Sequence, residues 1–374
     1  MSIANPPPQR PTAATSPTGQ PPASTVRRLP RWLVYGSLGV FAGAAIMLGW
    51  MAMDYRRGRT TGRPAWFGGG GVASDDDSPI VIPPPYDEDR AMGYLRKLCD
   101  FGPRKTGSRA MVAQQDYLRE FFNDRGGEVI DQAFEIRDPQ TGQPVRVVNL
   151  IARFAPAAAQ RYLLAAHYDT RPFPDNDPRN KRGRFVGAND GASGTAALME
   201  WSHRFGDLPP NIGVDVVLFD AEELVYDAAR DEYFIGSTYF ATQHRNDPST
   251  TYVGGVLLDM VGDRELKLFY ERNSLRYAPE ITRGIWKTAR RLGVRQFVPR
   301  VRHEIRDDHL PLNQIAGIPT VDIIDFDYPR PGAPTYWHTT LDVPAKCSGR
   351  SLATVVYVLD RWLREQSEST SPVE

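Results

Sequence analysis

Cysteine is almost absent: Cys99 and Cys347 are the whole complement of a 374-residue chain. Two thiols exclude a disulfide scaffold, a multi-cysteine zinc site and an iron–sulfur centre. Histidine is scarce too, limited to His167, His203, His244, His303, His309 and His338. A metal site would therefore lean on carboxylates. Net charge is also missing, because 45 Lys and Arg balance 45 Asp and Glu. That excludes a generally basic nucleic-acid binder and an acidic tail protein. No GxGxxG or GxxxxGK[ST] loop and no fixed-period repeat is present, so nothing marks a phosphate cradle.

What is there is segregated. Residues 1–53 hold Arg10, Arg27, Arg28 and Arg31 and no acid. Eight prolines fall in the first thirty residues, and such a stretch buries too little apolar surface to offset its ordering entropy. Residues 1–31 are expected to be a disordered tail. Trp32 to Met53 then runs 22 residues without a charge. As a helix it would span about 33 Å, enough for a hydrocarbon core of about 30 Å. A single-pass anchor is expected over 32–53, in contact with the lipid bilayer, with Trp32, Tyr35 and Trp50 near its ends. Arg27, Arg28 and Arg31 before it nearly balance Arg56, Arg57, Arg59 and Arg63 after it. The expectation is a membrane protein whose main domain lies outside the cytoplasm. Residues 54–85, with Gly68 to Gly71, Asp75 to Asp77 and Pro83 to Pro85, read as a linker. The domain proper is expected over 86–366, and 367–374 as a second disordered tail.

Within the domain, short apolar runs alternate with helical spacing. The runs are Val145–Ile151, Tyr162–Ala166, Val214–Phe219, Val253–Leu258, Leu266–Tyr270 and Thr320–Ile324. Helices are expected around Tyr94–Leu98, Met111–Phe122, Ser193–Phe205, Ser237–His244, Pro279–Leu292 and Ser351–Leu363. This alternation predicts an α/β fold, a mostly parallel mixed sheet with helices on both faces.

Ligands bind beyond the carboxyl ends of such strands, so polar residues just after each run are the candidates. His167-Tyr168-Asp169 follows the second run, and His167 could bind a metal with Asp169 orienting it. Asp190 sits among Gly187, Gly191 and Gly194 at a helix entry, where a plain N-cap is the alternative. Asp220-Ala221-Glu222-Glu223 follows the third run, and adjacent carboxylates there are costly unless a cation or proton is shared. Asp259 follows the fourth. Asp307-Asp308-His309 precedes the last run, and Trp337-His338-Thr339 comes after it. Nitrogen and oxygen donors without thiolate fit zinc, singly or paired.

Together these pieces resemble the M28 metallopeptidases, and within them the glutaminyl-peptide cyclotransferases. The resemblance implies a zinc aminopeptidase-like fold and peptide or protein N-termini as substrate, with no nucleic acid. It implies a zinc held by Asp190, Glu223 and His338, with His167 and Asp259 as candidates for a second. It implies Glu222 as proton shuttle, sharing a hydrogen-bond network with Asp259 and Asp307. Trp337 and Tyr226 are expected as pocket walls. The reaction implied is conversion of N-terminal Gln to pyroglutamate with loss of ammonia. An M28 aminopeptidase is the alternative, and a non-catalytic M28-like ectodomain is the third reading. Asp307 and Trp337 favour the cyclase; the Gly191-Ala192-Ser193-Gly194 stretch favours the peptidase.

Overall fold

A computed structural model describes residues 81–333 and 335–367. The expected anchor at 32–53, both tails and most of the linker lie outside these residues. Among the described residues, no helix is long and apolar enough to cross a membrane.

Two amphipathic helices open the domain. Helix α1 (Glu88–Asp100) is capped by Asp87, whose side chain accepts from the Arg90 amide, and α2 (Arg109–Asn123) by Ser108, which accepts from the Met111 amide. Such caps satisfy amides that a helix start leaves unpaired. Then follow β1 (Glu128–Arg137), β2 (Pro144–Phe154), β3 (Gln160–His167), α3 (Ala192–Ser202), β4 (Ile212–Phe219), α4 (Ile235–Asn246) and β5 (Gly254–Asp259). After these come β6 (Leu268–Tyr270), α5 (Arg272–Tyr277), α6 (Pro279–Arg291), β7 (Phe297–Val301), β8 (Thr320–Ile324) and α7 (Gly349–Glu365).

Six strands form one mixed sheet in the order β1-β2-β4-β3-β5-β8. The β1–β2 and β2–β4 pairs are antiparallel, while β4, β3, β5 and β8 run parallel. The Leu266–Tyr270 run does not join this sheet. Its β6 pairs with β7 in a separate two-stranded sheet.

Period-two alternation sends the two faces of each strand to different cores. Leu164 and Ala166, Val216 and Leu218, and Val256 and Leu258 pack into the larger cluster with residues of α1, α3, α6 and α7. Leu163, Ala165, Val217, Phe219 and Leu257 face the other side, against Phe240 of α4 and Leu312. Helix α3 lies close on the sheet because Gly194 carries no side chain; a Cβ there would stand 2.1 Å from the Leu258 carbonyl oxygen. Both thiols are buried and unpaired.

Candidate metal centre and catalytic pocket

The carboxyl ends of β3, β4 and β5 deliver His167, Glu222 with Glu223, and Asp259 to one place. In register, His167 stands opposite Phe219, and Asp259 opposite Ile324. Asp190 enters from the N-terminal end of α3, where the cap is Gly191 (φ 96°) with no side-chain cap bond. Asp190 is thus free of the capping role that the sequence left open. His338 arrives from the long loop after β8.

Asp190 is the hub. Its Oδ1 lies 3.2 Å from His167 Nε2, and its Oδ2 lies 3.3 Å from His338 Nε2. His338 Nε2 is also 3.1 Å from Glu223 Oε2, and His167 Nε2 is 3.2 Å from Asp259 Oδ1. Among the described residues, two donor sets share Asp190: Asp190, Glu223 and His338, and His167, Asp190 and Asp259; a third, His167, Glu222 and Glu223, overlaps both. Tetrahedral zinc with N and O ligands at 2.0–2.1 Å holds its donors about 3.3 Å apart, which these separations match. Asp190 Oδ2 is buried with no hydrogen-bond donor, as a coordinating oxygen would be. The residues fit zinc.

The electrostatics agree. Burial pushes the Glu222 carboxyl well up, despite His167, and pushes Glu223 up to about 7, with Asp190 adding to it. Asp259 and Asp307 are raised by burial and by neighbouring carboxylates. Burial alone would lower both histidines, yet the surrounding carboxylates hold His167 and His338 well above the ordinary range. A buried surplus of negative charge of this kind is relieved by protons or a cation.

Behind the donors lies a second layer. Asp169, fully buried, accepts the backbone amides of Glu222 (3.1 Å) and Glu223 (3.2 Å) and stands 3.6 Å from His167 Nδ1. Asp342 accepts the amides of Asn189 (2.8 Å) and Asp190 (3.1 Å). Asp175 lies 3.5 Å from His338 Nδ1 and is itself gripped by Arg171 at 2.8 and 2.9 Å. Arg171 also donates its amide to Glu223 Oε1 at 2.7 Å. Positive φ occurs at Ala221 (56°), Met260 (50°) and His338 (54°), each at or beside a site residue. Such backbone persists only where surroundings over-determine it.

A cavity of about 390 Å³ opens over this centre, lined by Arg171, Glu222, Tyr233, Asp307, Phe326, Trp337 and others. Trp337 stacks on His338 with ring centroids 3.9 Å apart. Tyr226, expected as a wall, is not there. Lys105 donates to its hydroxyl at 2.8 Å, and that hydroxyl donates to Asp138 at 3.1 Å. Tyr233 and Phe234 take the wall position instead. The expected hydrogen-bond network of Glu222, Asp259 and Asp307 is also not formed directly. All three line the cavity, but Glu222 approaches His167 Nδ1 at 3.8 Å, Asp259 contacts His167 Nε2, and Asp307 Oδ1 accepts the Asp308 amide at 2.6 Å. Three like-charged carboxylates repel, so a direct bond between any two requires a shared proton. Sequence reasoning assigned no role to Asp175, Asp342 or Tyr233; they sit in loops whose local pattern carries no signal.

The chain belongs to peptidase family M28, whose model matches residues 149–362. Its solved relatives include two kinds. The glutaminyl cyclase of Fimbriiglobus ruber is 36% identical, covers 81% of this chain and 99% of its own, and superposes with a TM-score of 0.71. A zinc-dependent exopeptidase from Parabacteroides distasonis is 32% identical over 76% of this chain and 99% of its own, with a TM-score of 0.70. The glutaminyl-peptide cyclotransferase of Bothrops jararaca is 27% identical over 225 residues, 52% of this chain. The match spans only 58% of that relative's length.

Proposed function

We propose that this protein is a zinc-dependent glutaminyl-peptide cyclotransferase, closing an N-terminal glutamine onto its own side chain and releasing ammonia. Asp307 carries this reading. Its carboxyl is 4% exposed and lines the cavity, one of its oxygens has no partner, and burial with Asp259 keeps it protonated well above the ordinary range. A buried, protonated carboxyl at the cavity can donate a hydrogen bond to the bound amide while Glu222 moves the proton, and Trp337 supplies a flat wall for the short glutaminyl side chain.

Zinc held by Asp190, Glu223 and His338 would polarise the side-chain carbonyl as a Lewis acid. The rest falls to the protein's own groups. Glu222 takes a proton from the neutral α-amine as its lone pair attacks the side-chain carbonyl carbon. A new C–N bond forms, the old one breaks, and Glu222 returns the proton to nitrogen, which leaves as ammonia. Its raised pKa suits a group that both accepts and gives a proton near neutrality. The cavity holds amine and carbonyl together, so closure is intramolecular and gains from proximity. Asp169 fixes Glu222 and Glu223 through their amides, and Asp175 holds the His338 ring.

The second reading, a zinc aminopeptidase, is favoured by the intact His167, Asp190 and Asp259 set, which would take a second metal. Asp307→Ala separates the two. The cyclase reading expects N-terminal Gln turnover to fall at least a hundredfold with bound zinc unchanged. Undiminished turnover would remove Asp307 from the reaction. We further propose that 32–53 anchors the chain in a membrane, with the catalytic domain outside the cytoplasm and peptide N-termini as its substrates.

A further inference from the structure

The chain is neutral as a whole, yet residues 272–306 hold ten Lys and Arg against two Asp and Glu. Some of these cations are used by the fold: Arg291 pairs with Glu365, and Arg302 with Asp327. Three are not. Arg283, Lys287 and Arg290 lie at i, i+4 and i+7 on the exposed face of α6. Their side chains have no hydrogen-bond or ion-pair partner among the described residues.

These three border a groove of about 610 Å³ between α6 and β7, floored by Tyr270, Trp286 and Phe297. The floor is rigid. Trp286 packs 4.9 Å from Tyr270 and 5.1 Å from Phe297, and its Nε1 donates to the Val298 carbonyl at 3.1 Å. Pro299 and Val301, the latter 43% exposed, extend the apolar surface along β7. Unpaired cations over an apolar floor fit an anion that carries hydrocarbon.

We propose that this groove seats the phosphate headgroup of an anionic phospholipid, docking the catalytic domain on the bilayer through the α6–β7 face. The proposal rests on the membrane-anchor reading above. If residues 54–85 act as the flexible linker expected from their composition, their reach would be about 30 Å root-mean-square, and tethering of that kind would let a weak affinity suffice. Arg56, Arg57, Arg59 and Arg63 follow the expected anchor in sequence, a second basic element that would favour an anionic lipid surface wherever that side faces one. An acidic peptide would satisfy the cations but leave the apolar rim unused.

The test uses the full chain in nanodiscs of phosphatidylcholine alone or mixed with phosphatidylglycerol, reading acetylation of Lys287 by mass spectrometry. Protection is expected only with phosphatidylglycerol, and high salt should abolish it. Each cation is worth about fivefold near an anionic surface, so the Arg283→Gln/Arg290→Gln variant should lose about thirtyfold of the protection. Its turnover of an N-terminal Gln peptide should not change, which shows that it is folded. Equal reactivity of Lys287 in both discs would overturn the proposal. Equal protection in both would assign the groove to a segment of the chain itself, such as Asp75–Asp77. Protection in phosphatidylcholine discs by inorganic phosphate alone would make it a soluble-anion site. A chain that enters neither disc overturns the anchor and this docking surface together, whereas loss of the cyclase reading would show only in turnover.

Discussion

Replacing Asp169 tests whether the two glutamates are placed by one buried carboxylate. Asp169 is fully buried and accepts two amide protons, from Glu222 and Glu223, at 3.1 and 3.2 Å. Hydrogen bonds to a charged acceptor contribute about 1.5–3 kcal/mol each. Together they outweigh the roughly 1–3 kcal/mol that the left-handed backbone at Ala221, just before the pair, costs. Asp169→Asn keeps one acceptor and turns an amino group toward the other amide. The loss should be about 2–3 kcal/mol in urea unfolding; Asp169→Ala should lose about twice that. With Glu222 and Glu223 free to shift by about 1 Å, kcat should fall about a hundredfold. Zinc affinity should weaken about 10- to 100-fold, as when a ligand's outer partner is removed. The assays are urea titration of zinc-loaded protein, ammonia release from an N-terminal Gln peptide, and competition against a zinc chelator. If Asp169→Asn kept kcat and zinc affinity within about twofold, the turn would be held by its own backbone and this reasoning would fail.

Other substitutions probe separate parts of the account. Glu222→Gln should lower kcat by about 10²- to 10⁴-fold, the usual worth of a positioned acid–base group, while elemental analysis finds zinc still bound. His338→Ala should strip the zinc, whereas His167→Ala should retain it if one ion suffices; zinc lost from both variants would favour the paired centre. Glu271 is 2% exposed, and its carboxyl is pulled down to about 2 against its burial by His309 and by the amides of Asn273 and Ile305. From an ordinary value of 4.5 that shift contributes about 3 kcal/mol of stability. A depressed carboxylate stabilises the fold above about pH 4.5 and loses the contribution as pH falls toward 2. The gap in unfolding free energy between wild type and Glu271→Gln should therefore be widest at neutral pH and close in acid; a gap independent of pH would refute the assignment.

The parallel core of the sheet was legible because β3, β4, β5 and β8 are buried on both faces and read as mostly apolar runs, interrupted by Asp215 in β4 and Asp322 in β8. Strand β1 was not, since it pairs only with β2 along the exposed edge and carries charged residues among its half-buried ones. Strand β7 escaped for the same reason, with Pro299 and Arg300 in its middle. Leu266–Tyr270 shows the limit of a run-based reading, which sees a strand but not the sheet it joins. In the site, His167, Glu223 and Asp259 were legible because they closely follow buried apolar runs, whereas Asp190, among glycines at a helix entry, and His338, a scarce residue type in a loop, were singled out with the family resemblance. Asp175, Asp342 and Tyr233 were not, because only the folded loops carry them to His338, Asp190 and the cavity. Tyr226 shows the converse: proximity in sequence to Glu223 suggested a wall, but Lys105 and Asp138 draw its hydroxyl elsewhere.

The central claim is best tested by giving the zinc-loaded full chain two peptides that differ only in their first residue, Gln or Leu, and following both by mass spectrometry. The account predicts loss of ammonia from the Gln peptide and an unchanged Leu peptide. Release of the first residue, above all from the Leu peptide, would contradict it and assign the centre to peptide hydrolysis.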